Sequence, residues 1–139
     1  MSGGEQLNPE NISIEAIKAV LESYGIRTKE DSEGDLILQT SPGYMGCALR
    51  LRATKTVFRI MTNGRFKSSV PRTQRLTCAN NINEQYGMAN AYVEGDGLHF
   101  CHDVIVSGGI THANMVATIQ HFRSFPVKAL PEYTDGLLQ

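Results

Sequence analysis

Short strand-like segments joined by hairpin-length turns constrain the fold of this 139-residue chain more than any other feature. In residues 47–53, apolar side chains alternate with Ala48, Arg50 and Arg52, the period-two pattern of a strand with one face in water. Further strand signals lie at residues 26–30, 36–39, 57–62, 88–94 and 98–106. The strongest turn signal between them is the pair Asn63 and Gly64. Because such short connections join antiparallel neighbours, the sequence predicts a largely antiparallel sheet.

Three helices with apolar stripes are expected to pack against this sheet. They are predicted at residues 14–24, 71–86 and 112–126. Ser13 and Thr111 suit the N-cap positions, Pro71 suits the start of the second helix, and Pro126 ends the third. The predicted order is α-β-β-β-β-α-β-β-α. This is an α+β fold in which an antiparallel sheet packs against helices.

The length and composition predict one domain of ordinary globular character. Residues 1–11 read as a disordered lead-in, residues 12–130 as the domain and residues 131–139 as a tail. The N-terminus has no apolar signal segment, and no apolar run approaches the roughly 20 residues of a membrane helix. A cytoplasmic location is therefore expected. The odd count of Cys47, Cys78 and Cys101 at wide spacing indicates free, mostly buried thiols in a reducing compartment.

A basic block at residues 50–75 stands out from the rest of the chain. It carries eight Lys or Arg residues and no acid, although the net charge of the whole chain is −1. Arg50, Arg52 and Arg59 are the candidate partner-binding residues within it. They either line a solvated sheet face, where charge discourages aggregation, or form a surface for an acidic protein segment. A third interpretation is nucleic-acid binding, because Phe58 and Phe66 interleave with the arginines.

Structural roles are assigned to Asn80, Asn83, Gly108 and Gly109. The second helix is expected to bury Leu76, Ala79, Ile82 and Tyr86. Asn80 and Asn83 lie beside Leu76 on the edge of that face, where an amide can bond to exposed backbone and join helix to sheet. Gly108 and Gly109 suit a strand-to-helix turn better than an anion site, since no phosphate-binding motif surrounds them.

The sequence offers no catalytic or metal-binding pattern. His99, Cys101 and Asp103 share one face of the last strand, whereas His102 lies on the other. That run offers too few preorganised ligands for zinc, and adjacent Cys and His on opposite strand faces cannot form a nucleophile pair. No metal, no cofactor and no enzymatic activity are predicted.

Three stretches resemble the YbjN family, a bacterial group associated with sensory transduction regulation. They are residues 21–25, 76–83 and 104–111, with the sequences LESYG, LTCANNIN and VIVSGGIT. The resemblance covers roughly residues 12–126. It implies a fold related to type III secretion chaperones, which are small acidic proteins, usually homodimers, that bind an extended segment of a partner.

The resemblance and the basic block together lead to one expected function and one alternative. The expected function is a non-enzymatic adaptor or chaperone-like regulator, a homodimer that docks a protein segment by strand addition or groove binding. The alternative is a nucleic-acid-binding module that uses residues 50–75. Steep salt dependence of binding would distinguish the alternative, because phosphate contacts release counterions.

Overall fold

The computed structural model describes residues 5–87, 90–134 and 136–139. Within these residues three helices are present, namely α1 (Ile14–Ser23), α2 (Arg72–Gln85) and α3 (His112–Thr134). The strands are β1 (Gln6–Leu7), β2 (Thr28–Glu30), β3 (Leu36–Leu38), β4 (Cys47–Leu51), β5 (Val57–Arg65), β6 (Asn90–Glu94), β7 (Gly97–Ile105) and β8 (Ile110–Thr111). As predicted, the Ser13 hydroxyl caps α1 by accepting a hydrogen bond from the Ala16 N–H (3.0 Å).

Six strands form one sheet in the order β2-β3-β4-β5-β7-β6, with every neighbouring pair antiparallel. The two-residue strands β1 and β8 form a separate antiparallel pair. Apart from this pair, the elements follow the predicted order. The α+β fold class is thereby confirmed.

One face of the large sheet and the three helices enclose the hydrophobic core. Side chains that alternate along the strands are fully buried, among them Leu36, Leu49, Phe58, Ile60, Leu98 and Phe100. They pack with buried helix residues such as Ile17, Ile82, Ile119 and Phe122. Burying each such side chain contributes about 1.5–3 kcal/mol. Apart from the buried Cys101, the intervening strand residues are exposed or half-buried, which leaves the opposite face of the sheet open.

Part of residues 1–11, which the sequence predicts to be disordered, is ordered in the structure. Gln6 and Leu7 pair with Thr111 and Ile110, and Leu7 is buried. Gly109 permits this approach, because a Cβ atom there would lie 2.5 Å from Oε1 of Gln6. A polar segment with few apolar residues was expected to stay free, but pairing and one buried leucine hold it. Residues 1–4 lie outside the described part of the chain.

The prediction of a turn at Asn63 and Gly64 is wrong. Both residues belong to β5 and pair with His99 and Leu98 of β7. Neither has the positive φ that a two-residue hairpin turn of this type requires. The glycine instead leaves room for another part of the chain, since a Cβ at Gly64 would lie 3.3 Å from Cδ1 of Leu138.

The third helix also continues beyond its predicted end at Pro126. Helix α3 runs to Thr134, although proline in a helix interior removes a backbone hydrogen bond. The chain is then held against the end of β5. Lys67 N–H donates to the Leu137 carbonyl (2.8 Å), and Gln139 N–H donates to the Arg65 carbonyl (2.9 Å). A proline removes one helix hydrogen bond but does not by itself stop a helix, so the local signal at Pro126 predicted the end too early.

Candidate protein-binding face

The open face of the sheet carries a groove of about 620 Å³. An apolar row crosses four strands of this face, formed by Ile37, Ala48, Met61 and Cys101, and its first three members belong to the floor of the groove. Ile37 is the register partner of Ala48, Ala48 of Met61, and Met61 of Cys101, so their side chains lie side by side. Ile37, Ala48 and Met61 are half-buried and line the groove. We call these four residues the apolar row.

One end of the groove is aromatic. Tyr92 on β6 and His99 on β7 are register partners, and their rings stack with centroids 5.0 Å apart and an interplanar angle of 16°. Tyr92 remains 44% exposed. An exposed aromatic side chain beside an apolar floor is typical of a surface that binds protein segments, because aromatic rings bury a large area on contact.

A charged row runs beside the apolar row. Arg50 and Arg59 are register partners on β4 and β5, and Asp103 on β7 is the next partner of Arg59. Arg50 binds Asp35 in bidentate fashion, with Nε–Oδ1 and Nη2–Oδ2 distances of 2.9 and 2.7 Å. Its Nη2 also donates to Glu33 at 3.3 Å. Arg59 binds Asp103 with the same geometry, at 2.7 and 3.1 Å.

These ion pairs explain how two arginines can lie directly opposite each other. Like charges at a cross-strand pair repel, so each guanidinium needs a carboxylate of its own. The hydrogen bond from Arg59 holds the pKa of Asp103 below its ordinary value, and the charges of Arg59 and Arg52 act in the same direction. The hydrogen bond to Asp35 raises the pKa of Arg50. The charged row is therefore largely neutralised within the chain.

The structure thus brings two of the three predicted binding residues together and shows their partners. Arg50 and Arg59 adjoin, while Arg52 is exposed just beyond the end of β4. Elsewhere in the basic block, Arg65 pairs with Asp96 at 3.3 Å. Arg75 donates to the carbonyls of three residues, namely Lys67, Val70 and Gly95. This neutralisation could not be predicted from the sequence, because Asp35, Asp96 and Asp103 lie far along the chain from the arginines that they pair with.

At each outer strand of the sheet, a side chain from a helix occupies the edge that has no neighbouring strand. Asn83 of α2 donates from Nδ2 to the Ala91 carbonyl of β6 (2.9 Å), and its Oδ1 accepts from the Ala91 N–H (2.7 Å). At the other edge, Nζ of Lys18 donates to the Thr28 carbonyl of β2 (3.2 Å). A peptide strand needs these same backbone groups, so addition at either position is obstructed.

Asn83 therefore makes the helix-to-sheet bond that the sequence predicts, but its neighbours differ from expectation. Asn80 is exposed, and Leu76, predicted to be buried, is 39% exposed. The buried residues of α2 are Cys78, Ala79 and Ile82. The helix is rotated so that Ala79, Ile82 and Asn83, spaced by three and four residues, face the sheet.

Gly108 and Gly109 lie in the turn between β7 and β8. Gly109 has a φ of +86°, and its N–H donates to the Val106 carbonyl (2.9 Å). The sequence predicts a strand-to-helix turn here, whereas the turn in the structure joins two strands, and the short strand β8 precedes α3. The pair allows β8 to reach β1 before α3 begins.

One group of three acidic side chains has its oxygens close enough for a metal ion within the described residues: Asp31, Glu33 and Asp35. Their oxygens already have partners. Oδ1 of Asp31 accepts from the N–H groups of Glu33 and Asp35 (2.9 and 2.8 Å), which shapes the turn between β2 and β3. The other two carboxylates bind Arg50. The group is accounted for as a turn and an ion-pair network.

Cys47, Cys78 and Cys101 form no disulfide within the described residues and are buried, as predicted. Burial raises the pKa of the Cys47 thiol to about 12 and also raises the pKa of Cys78. Thiols of this kind are protonated near neutral pH and make poor nucleophiles.

The chain matches a family model, and its fold is similar to that of solved structures. The family model "YbjN: Putative bacterial sensory transduction regulator" matches residues 13–128. Among curated proteins, no sequence matches the chain. The fold is similar to that of YbjN, "a putative transcription regulator from E. coli", with a TM-score of 0.74 at 15% sequence identity. The match covers 92% of this chain and 96% of the E. coli chain.

A second solved structure with a similar fold is the Yersinia pestis type III secretion chaperone SycH in complex with a stable fragment of YscM2. Its TM-score is 0.54 at 6% identity, covering 84% of this chain and 98% of SycH. At such identities the likeness concerns the fold alone. None of the helices in the described residues combines the length and apolar character that a membrane span requires.

Proposed function

The chain belongs to the YbjN family, and we propose that it is a non-enzymatic adaptor whose open sheet face holds an extended segment of a partner protein. The observation that carries this proposal is the apolar row beside a neutralised charged row. Burying this row against a partner would gain hydrophobic free energy without leaving the flanking arginines unpaired. The row crosses four neighbouring strands, so a segment of a few residues is long enough to cover it.

The relative SycH supports a protein segment as the bound molecule. Its solved structure contains a fragment of YscM2, so a protein with this fold holds part of another protein. Both the family description and that of the E. coli YbjN structure name a regulator. An adaptor that regulates by binding is consistent with both comparisons.

The groove is favoured over strand addition because of the two edge contacts. Asn83 and Lys18 occupy backbone groups of β6 and β2 that an added strand would need. A segment that lies across the open face meets no such obstruction. Of the two docking modes expected from the sequence, groove binding is therefore the one proposed.

The partner segment is proposed to be apolar with an acidic residue near one end. The apolar residues would cover Ile37, Ala48 and Met61. The acid would lie near Arg52, which is exposed and has no ion pair within the described residues. Arg52 would then fix the orientation of the segment and add little to its binding affinity, since ion pairs at the rim of an interface contribute little binding free energy.

The test begins with affinity capture from native cytosol, followed by binding of the captured partner's segments as peptides. Met61→Glu places a charge on the floor of the groove and is expected to weaken peptide binding at least tenfold, about 1.4 kcal/mol or more. Gln74→Glu, an exposed position on α2, is the matched control and should bind like the parent. If folded Met61→Glu binds the peptide unchanged, the open face is not the docking site.

The nucleic-acid alternative is separated by nuclease treatment of half the lysate and by a salt series. Acid partners on Arg50, Arg59 and Arg65 reduce the charge available for phosphates. Capture that survives nuclease, with a shallow dependence on salt, is expected for a protein partner. Loss of all captured material after nuclease, with steep salt dependence, would favour nucleic acid.

A cytoplasmic location, expected from the sequence, and a homodimer, expected from the likeness to secretion chaperones, complete the proposal. Fractionation of the native host tests the location. Light scattering at tens of micromolar tests the dimer; a mass near 15.3 kDa, that of one chain, would remove it.

A further inference from the structure

A buried arginine on α3 has only neutral hydrogen-bond acceptors. Arg123 is 2% exposed. It donates to the carbonyls of Met45 (2.8 Å) and Gln39 (2.7 Å) and to Oε1 of Gln120 (2.8 Å), and its guanidinium lies 5.3 Å from the centre of the Tyr44 ring. These contacts tie α3 to the loop between β3 and β4, but they supply no negative charge.

Such an arrangement is unusual because buried charges are normally paired with an opposite charge. In the described part of the chain, Arg123 forms no ion pair with any carboxylate. A guanidinium has five N–H donors, of which the three hydrogen bonds use three. Burial lowers the pKa of Arg123, which is the direction expected for a cation without a counter-ion.

A cavity of about 460 Å³ adjoins Arg123. It is bounded by the end of α1, the β3–β4 loop and α3, and a second arginine, the exposed Arg27, also lines it. None of its lining residues is an acid, whereas Tyr24, Thr40, Ser41 and Tyr44 offer hydroxyl groups. It shares Gln39 and Thr40 with the groove on the open sheet face and is otherwise lined by different residues.

We propose that this cavity binds the phosphate group of a small molecule. Two guanidiniums match the two negative charges of a phosphate ester, and the planar fork of arginine suits its oxygens. Hydroxyl donors serve the remaining oxygens. The phosphate supplies the counter-ion that Arg123 lacks, so binding is also expected to stabilise the contacts between α3 and the β3–β4 loop. Apart from Gln39 and Thr40, which line both, the cavity and the proposed partner groove have different residues, and the proposal does not rest on the proposed function.

The test is a titration of the full chain with inorganic phosphate, followed by NMR of the arginine Nε–H signals. Ionic strength is held constant with sodium chloride. The Arg123 and Arg27 signals are expected to shift saturably. Arg27→Gln is expected to weaken phosphate binding about tenfold, because it removes one charge-assisted contact. Arg72→Gln, an exposed arginine at the start of α2, is the matched control and should bind like the parent.

Arg27 is exposed, so its replacement tests the site without the risk of unfolding the chain. Acetate, which carries one charge, is expected to bind more weakly than phosphate. Equal binding of acetate and phosphate would overturn the assignment to a phosphate group. An Arg123 signal that stays still across the titration, or unchanged affinity in Arg27→Gln, would show that the cavity is not an anion site.

Discussion

Asn83 and Ala91 exchange two hydrogen bonds, Nδ2 to carbonyl at 2.9 Å and N–H to Oδ1 at 2.7 Å, so that a helix side chain imitates a neighbouring strand. The contact joins α2 to the outer strand β6. It also occupies backbone groups that would otherwise be open to another chain, which is how proteins protect exposed strand edges.

Asn83→Ala is therefore expected to reduce the free energy of unfolding by roughly 1–3 kcal/mol, because two backbone groups lose their partner. Urea denaturation followed by circular dichroism measures this change. The matched control is Asn80→Ala on the exposed side of the same helix, expected to stay within about 0.5 kcal/mol of the parent. Equal stability of the two variants would contradict the structural role of Asn83.

Arg50→Leu is expected to destabilise the protein by leaving Asp35 without its bidentate partner. Asp35 is 5% exposed, and a buried carboxylate without a counter-charge is unfavourable. The double variant Arg50→Leu with Asp35→Leu is expected to be more stable than Arg50→Leu alone, because it removes that carboxylate. Thermal denaturation at neutral pH compares the variants, with Arg52→Leu as the control. A double variant whose loss equals the sum of the two single losses would show that the residues act independently.

The ion pair between Asp103 and Arg59 predicts a specific acid sensitivity. Because the pKa of Asp103 is lowered in the folded chain, its contribution to stability is complete above the ordinary value of 3.8 and is lost as the pH falls through the folded-state value. Asp103→Asn lacks this contribution at pH 7 and is therefore expected to lose less stability than the parent as the pH falls below the ordinary value of 3.8. Urea midpoints measured across that range test it. Parallel curves for parent and variant would contradict the prediction.

Cys47 is expected to resist alkylation in the folded protein. Burial raises the pKa of its thiol to about 12, so at pH 8 almost no thiolate is present, and the side chain is inaccessible. Iodoacetamide labelling followed by peptide mass spectrometry measures the modification. Labelling in denaturant, where every thiol reacts, provides the control. Rapid labelling of Cys47 without denaturant would show that strand β4 opens readily.

The contrast between Asn83 and its neighbours shows what can be predicted from a helix sequence. Asn80 and Asn83 were both expected at the edge of an apolar stripe, because spacing along a helix determines which residues share a face; in the structure Asn83 bonds to the sheet and Asn80 is exposed. The rotation that exposes Leu76 depends on how Ala79 and Ile82 pack against β6. That choice depends on the sheet and has no local signal in the sequence.

The sequence by itself determined the order of the main elements, the antiparallel pairing and the alternation that leaves one sheet face open, because strand alternation, turns and helix stripes are encoded over a few neighbouring residues. Tertiary structure alone decided that Asp35 and Asp103 neutralise Arg50 and Arg59, across 15 and 44 residues of chain. It also decided that Gly64 continues a strand. Contacts between distant segments exist only once the sheet has formed, and they outweigh local preferences wherever they bury more surface or satisfy more polar groups.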